Sequence, residues 1–336
     1  AMHIAGHSGE VMGAVPWDNR VYLIGGTPAT GGSASSTVWV CPIGADGSPG
    51  NLTASTSMQV ARSGHGVAVW NGRVYAVGGT AGWPWPGGGC DYASVEFSTV
   101  QPSGALGAWT TTLPMPTPRS TAGVLAYNGF LYVVGGLDSV SSFTASVLST
   151  RINADGTLAG WTEATPLSAP WGSMGIAAHD GYMYVVRGSM GGNETDRVLY
   201  ARINADGTLG AWTDTSPVAG VTRDYNRAVV LNGRLYQSGG EDGGAAFNEV
   251  WSAPINADGT LGAWVAEAPL LTGRWTPAVA ASGNGIYVFG GWNGGNLPNS
   301  EWRRMGGSAG GYVYISDDAT ASYALRLQLR IPPSSY

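Results

Sequence analysis

The sequence predicts an all-β chain folded as a six-bladed β-propeller, with four antiparallel strands per blade and a C-terminal extra strand. Three observations predict it. The decapeptide INADGTLGAW stands at residues 203–212 and again, letter for letter, at 255–264, with a near copy, INADGTLAGW, at 152–161. A second motif runs in step with it: VYLIGG (21–26), VYAVGG (74–79), LYVVGG (131–136), MYVVRG (183–188), LYQSGG (235–240) and IYVFGG (286–291) share one frame. The steps between these six segments are 53, 57, 52, 52 and 51 residues, and a period near fifty is that of a propeller blade.

Each period reads as strands a to d. Strand a is small and apolar, as in GHGVAVW (64–70), and ends at Asn71-Gly72 or its equivalent Asn232-Gly233. Such pairs favour the type I′ turn, whose two central residues both need positive φ. Strand b is the VYAVGG segment, with Tyr22, Tyr75, Tyr132, Tyr184, Tyr236 and Tyr287 each three residues before the first glycine position. The glycines there allow close backbone approach. A variable loop leads to strand c, as in RVLYARI (197–203). In the decapeptide, Asp-Gly forms the c-to-d hairpin and the Trp falls on strand d. Trp109, Trp161, Trp212 and Trp264 are equivalent, with Leu52 in blade one. Asp46, Asp155, Asp206 and Asp258 are expected to bond their own turn backbone rather than hold calcium.

Hydrophobic residues before Gly-Gly, the strand-b Tyr and the later Trp together resemble the Kelch repeat family. The resemblance covers about residues 5–315. Blade four departs from it, with Arg187-Gly188 for Gly-Gly. It implies a ring of blades around a central channel, with residues 1–315 as the propeller. GYVYI (311–315) is the candidate last strand of blade six. The tail 316–336 contains SYALRLQLRI (322–331), which alternates apolar and polar residues and reads as one more strand closing or augmenting the last blade.

Composition narrows the function. Only 11% of residues are charged, and the basic residues are all arginine. A net charge of −6 argues against nucleic acid, which needs a basic stripe. No run of eighteen apolar residues exists, so membrane insertion is not expected. Low charge with abundant Gly, Ser, Thr and aromatic residues points to an extracellular or surface-displayed protein. The opening AMHIAGHSGE lacks the basic start and apolar stretch of a secretion signal, and Ala1 and Met2 read as cloning remnants. Asn51-Leu-Thr53 and Asn193-Glu-Thr195 fit the N-glycosylation pattern. Aligned by blade, Cys41 and Cys90 lie at levels about 26 Å apart at ~3.3 Å per strand residue, so two thiols rather than a disulfide are expected.

Alternating strand direction puts the d-to-a connections and b-to-c loops on one face, where the variable segments lie. Sixteen residues before each first glycine position stand Gly9, Arg62, Arg119, Trp171, Arg223 and Arg274. Twelve before stand Gly13, Gly66, Gly123, Gly175, Arg227 and Ala278. Four arginines therefore begin strand a at the channel mouth, Arg227 breaks a run of small residues, and Arg187 breaks the glycine rule on the same face. One reading is a ring of guanidinium forks for a carboxylate, sulfate or acidic peptide; some Kelch adaptors are similar, with arginines at this repeat position on an acidic peptide. The other reading pairs each arginine with an acidic neighbour or a loop carbonyl, holding adjacent blades together. Trp83, Trp85, Trp171, Trp275 and Trp292 share the face and either stack on a ligand or cover the core.

Catalysis is weakly indicated: no metal-ligand spacing, cofactor motif or nucleophile motif is present. The leading expectation is a non-catalytic recognition domain for an anionic glycan or acidic peptide. Its ligand residues are Arg62, Arg119, Arg223, Arg227, Arg274 and Arg187 with the five tryptophans. An enzyme acting on an acidic sugar in the same pocket, sialidase-like or mutarotase-like, is the alternative; Tyr225, Glu10, Asp224 and Glu241 could take sialidase roles, though the Asp-box of those enzymes is not matched. A structural fibre or adhesin module is the third.

Overall fold

Six separate antiparallel sheets follow one another along the chain in this computed structural model, which describes residues 12–28, 32–82, 92–138, 142–218, 222–294, 300–304 and 312–315. Blade one comprises Gly13–Trp17, Arg20–Ile24, Val38–Pro42 and Thr53–Ser55. Blade two comprises Gly66–Trp70, Arg73–Val77, Val95–Thr99 and Thr110–Thr112, and blade three Gly123–Tyr127, Phe130–Val134, Val147–Arg151 and Thr162–Ala164. Blade four has a longer central hairpin, Tyr182–Met190 with Asn193–Arg202, flanked by Gly175–His179 and Thr213–Thr215, and gains a fifth strand, Trp171–Gly172. Blade five comprises Arg227–Leu231, Arg234–Ser238, Val250–Pro254 and Val265–Ala266; a small hairpin, Glu241–Asp242 with Ala245–Ala246, rises between its strands b and c. Blade six comprises Ala278–Ser282, Gly285–Phe289, Ser300–Arg304 and Tyr312–Ile315. Its last strand is thus the expected one; the proposed tail strand, 316–336, lies outside the described residues.

Period-two alternation explains why the sheets close into a ring. Along strand b of blade one, Val21 and Leu23 turn to one side and Tyr22 and Ile24 to the other. Val21 and Leu23 pack with Ala278, Ala280, Tyr287 and Phe289 of blade six. Tyr22 and Ile24 pack with Val74 and Ala76 of blade two. The core is therefore a set of apolar layers between blades, one at each boundary. Closure leaves no outer blade with an uncovered face.

The repeated sequence acts across these boundaries. Five of the six strand-b tyrosines reach the c-to-d turn of the next blade and donate their hydroxyl to the turn glycine carbonyl: Tyr22 to Gly104 (2.9 Å), Tyr75 to Gly156 (2.9 Å), Tyr132 to Gly207 (3.0 Å), Tyr184 to Gly259 (2.9 Å) and Tyr287 to Gly47 (2.7 Å). The turn that would receive Tyr236 lies outside the described residues. The decapeptide tryptophan sits one residue before strand d, not on it. Its indole N–H donates backwards to the preceding blade, from Trp212 to the Thr165 carbonyl (2.9 Å) and from Trp264 to the Ser216 carbonyl (2.8 Å). The turn aspartates hold their own loops, as Asp206 Oδ1 does by accepting from the Thr208 N–H (3.0 Å) and hydroxyl (2.7 Å). The decapeptide is thus an inter-blade staple as well as a turn.

Glycine at the start of strand a has a packing reason rather than a channel one. A Cβ on Gly66 would stand 2.0 Å from Val124 Cγ2 of blade three, and one on Gly13 would stand 2.4 Å from Val67 Cγ1 of blade two. At Gly13, Gly66, Gly123 and Gly175 the first residue of the inner strand must be small to receive a side chain of the neighbouring inner strand; Arg227 departs from this in blade five.

Cys41 lies in strand c of blade one as expected, buried, with its Sγ 3.5 Å from the Gly50 carbonyl. Burial pushes its thiol up to about 12, which leaves it unreactive near neutrality. Cys90 lies outside the described residues.

Candidate functional site

The inner strands surround a channel of about 390 Å³. At the d–a/b–c end its wall includes His65, Thr121, Ser173, Tyr225 and Arg227. In blades two to six the residue two before strand a holds positive φ around the mouth: Gly64 (58°), Thr121 (49°), Ser173 (55°), Tyr225 (47°) and Thr276 (52°). Their backbones join circumferentially, with the Thr121 N–H on the Gly64 carbonyl (2.8 Å), Ser173 on Thr121 (3.0 Å) and Thr276 on Tyr225 (2.9 Å). A non-glycine residue in this region stores strain, and its persistence here shows that the hoop overdetermines it.

The arginines of the expected ring divide sharply. Arg62 is fully buried and turns away from the channel. It pairs with Glu96 (3.0 Å) and donates to the carbonyls of Gly78 (2.7 Å) and Ser94 (3.1 Å). Arg274 repeats the arrangement, buried and donating to the Gly290 carbonyl (2.8 Å). Both are struts between the lead-in to strand a and the b–c segment of the same blade, not ligand groups. Arg119 is buried and donates to the Pro118 carbonyl (3.1 Å). Burial lowers its affinity for the proton, with Asp138 and Glu163 opposing.

Blades four and five exchange parts. Arg187, at φ 51°, sends a buried guanidinium across the blade boundary to Gln237 Oε1 (3.3 Å) and the Val218 carbonyl (2.9 Å). Gln237 in turn donates to the Gly239 carbonyl (2.8 Å), the acceptor that corresponds to Gly78 and Gly290. With that acceptor filled, Arg223 turns to the b–c hairpin instead. It lies over Phe247 (3.4 Å to the ring centre) and meets Asp242 (3.2 Å) and Glu249 (3.4 Å). Trp171 replaces the arginine in blade four and is fully buried, its indole N–H on the Arg187 carbonyl (2.9 Å). Arg62, Arg274, Arg187 and Trp171 are therefore corrected from ligand contacts to packing groups, because each is fully buried and bonded within the blades.

Arg227 differs. It is half-buried in the channel wall. Its guanidinium makes one hydrogen bond, from Nη1 to the neighbouring Asn226 carbonyl (2.9 Å), and meets no carboxylate among the described residues. Burial lowers its pKa to about 10, with Tyr225 opposing, so it is a cation at neutral pH. Tyr225 stands beside it and touches Trp275 edge-on (5.3 Å between ring centres); Trp275 in turn meets Trp292 edge-on (6.4 Å). Trp275 and Trp292 are half-buried at the mouth. Trp83 and Trp85 lie outside the described residues. Sequence reasoning missed His65, whose imidazole burial holds down to about 3, with Arg62 adding to the effect. It also missed the hydroxyls of Thr121 and Ser173; the signal available was their shared place two residues before strand a.

Comparison with known proteins agrees with the geometry. The Kelch motif model matches residues 61–99, which run from the strut Arg62 to the end of strand c in blade two. The chain is 26% identical over 245 residues to beta-scruin of Limulus polyphemus, covering 70% of this chain and 26% of scruin. It is 25% identical over 227 residues to the Kelch repeat and BTB domain-containing protein 1 of Horsepox virus, covering 67% and 37%. The chain thus spans between about a quarter and two fifths of the length of these relatives. The solved structure of YjhT superposes with a TM-score of 0.68 at 14% identity, covering 92% of this chain and 96% of that one. At that identity the likeness speaks to the fold. With a Kelch motif in blade two, similarity to Kelch-repeat proteins over two thirds of the chain and a closed ring of blades, this chain is a β-propeller that resembles the Kelch repeat family.

Proposed function

We propose that this propeller is a non-catalytic recognition domain whose ligand face is the channel mouth on the d–a/b–c side, and that it takes an anionic group of a glycan or acidic peptide at Arg227. The observation that carries the reading is the state of that one side chain. Arg62, Arg187 and Arg274 are sealed by bonds to the blades, Arg223 is paired with carboxylates, and Arg119, also on a single carbonyl, is buried away from the channel wall, whereas Arg227 is half-buried in that wall with a single carbonyl partner. A half-buried cation with spare donors binds an oxyanion more strongly than an exposed one, because fewer waters compete. Trp275 and Trp292 add apolar area beside it, of the kind that anchors a sugar ring or a peptide side chain.

The test is an array of acidic and neutral glycans and peptides, read at low and high salt with the wild type and Arg227→Gln. Anionic ligands retained by the wild type, weakened by salt and lost in the variant support the proposal. Equal retention by both proteins overturns it, and turnover of a captured sugar would favour an enzyme in the same pocket.

A further inference from the structure

The small hairpin of blade five is anchored beside the channel mouth through Asp224, one residue from the channel-lining Tyr225. The Glu241 N–H donates to the Asp224 carbonyl (3.0 Å) and the Asp224 N–H to the Glu241 carbonyl (3.2 Å). At the hairpin tip the Gly243 N–H donates to Glu194 Oε1 (3.1 Å) of the blade-four hairpin, and the Gly244 N–H to Glu241. Four carboxyls thereby collect: Asp224, Glu241, Glu194 and Asp242. Among the described residues only Asp242 of these meets a cation, Arg223, which is shared with Glu249. Asp224 is 9% exposed, and its Oδ1 has no hydrogen-bond partner among the described residues. Tyr225 follows Asp224 in the chain, and Asp224 and Arg227 act on its phenol in opposite directions.

A carboxyl placed in this way resists ionisation, since burial and three like charges all oppose it. We propose that Asp224 is a proton-operated catch for this hairpin: while the carboxyl is protonated the hairpin lies against blade five, and ionisation drives it off the channel mouth. Opening separates Asp224 from Glu241 and admits water, so the open form favours the ionised acid. Burial first, then Glu241, Glu194 and Asp242, raise the closed-state pKa to about 8. The sign follows from linkage. Below the ordinary carboxylate range both forms hold the proton and pH has no effect. Between that range and about 8 the closed form holds a proton that the open form lacks, so opening grows with pH, by at most about tenfold per pH unit. Above about 8 both forms are ionised and the effect levels. Glu241, raised by burial, acts in the same direction. Control of access to Arg227 by this catch rests on the binding reading above; the catch itself does not.

Hydrogen exchange at the Glu241 and Phe247 amides, corrected for intrinsic rate and followed from pH 5 to 9 without ligand, tests the catch alone. The wild type should lose protection as pH rises and then plateau. Asp224→Asn should show a much flatter profile, with only the shallower Glu241 dependence left, and Glu241→Gln should reach its plateau at lower pH. A flat wild-type profile, or an Asp224→Asn profile that matches the wild type, overturns the proposal. Should Asp224→Asn fail to fold, Glu241→Gln decides: a shifted plateau supports the catch and an unshifted one overturns it.

Discussion

The Tyr184 hydroxyl of blade four donates to the Gly259 carbonyl of blade five across 2.9 Å, and Tyr184 is fully buried. Four other blade boundaries repeat this bond. Tyr184→Phe keeps the ring and leaves a buried carbonyl with one partner fewer. The expected cost is about 1–2 kcal/mol, seen as a lower melting temperature in calorimetry with ligand binding unchanged.

Arg62 and Glu96 form a pair in which each side chain is 1% exposed. Glu96 also accepts from the N–H groups of Gln59 (2.7 Å) and Val60 (3.3 Å). Arg62→Met strands a buried carboxylate, at an expected cost of about 3–5 kcal/mol. Adding Glu96→Gln should recover part of it, as denaturant unfolding of the single and double variants would show. Arg227→Gln removes no ion pair and should leave stability within about 0.5 kcal/mol.

Gly66→Ala should destabilise by about 1–3 kcal/mol through overpacking, because its Cβ would collide with Val124. Val124→Ala costs stability alone but should relieve Gly66→Ala in the double variant. Additive losses in unfolding measurements would contradict this interlock.

His65 is buried neutral, with its pKa lowered from 6.5 to about 3, chiefly by burial. Its stabilising contribution is complete above the unfolded value and is lost as pH falls from 6.5 towards 3, by at most about 1.4 kcal/mol per pH unit. Stability measured between pH 7 and 4 should fall less steeply in His65→Gln than in the wild type.

The ring was legible because the residues that define it recur at fixed offsets. Among the described residues five strand-b tyrosines find the next turn, and Trp109, Trp161, Trp212 and Trp264 each reach the preceding blade. The direction of the arginines was not, because it depends on a residue outside the motif. Arg62 is sealed by Glu96, a strand-c residue with no acidic counterpart at Leu148 or Trp251, the equivalent places in blades three and five. The Arg187–Gln237 exchange did leave a trace: both residues break the apolar-glycine pattern of strand b in adjacent blades, and reading them as a pair would have released Arg223 from the strut position. The fate of Arg227 was the part the pattern forecast, since a long cation among small residues at the start of strand a has the channel before it.

Arginine side-chain resonances report on anion binding at Arg227, since all 16 Lys/Arg positions are arginine. In ¹⁵N-arginine-labelled protein, with the Arg227 signal assigned by its loss in Arg227→Lys, a glutamate-rich peptide and a carboxylated disaccharide are each titrated at low salt. At least one of them should move the Arg227 Nε–H signal saturably while the sealed Arg62 and Arg274 signals stay in place. Saturable shifts confined to other arginines, or no saturable shift with either probe, would contradict anion binding at Arg227.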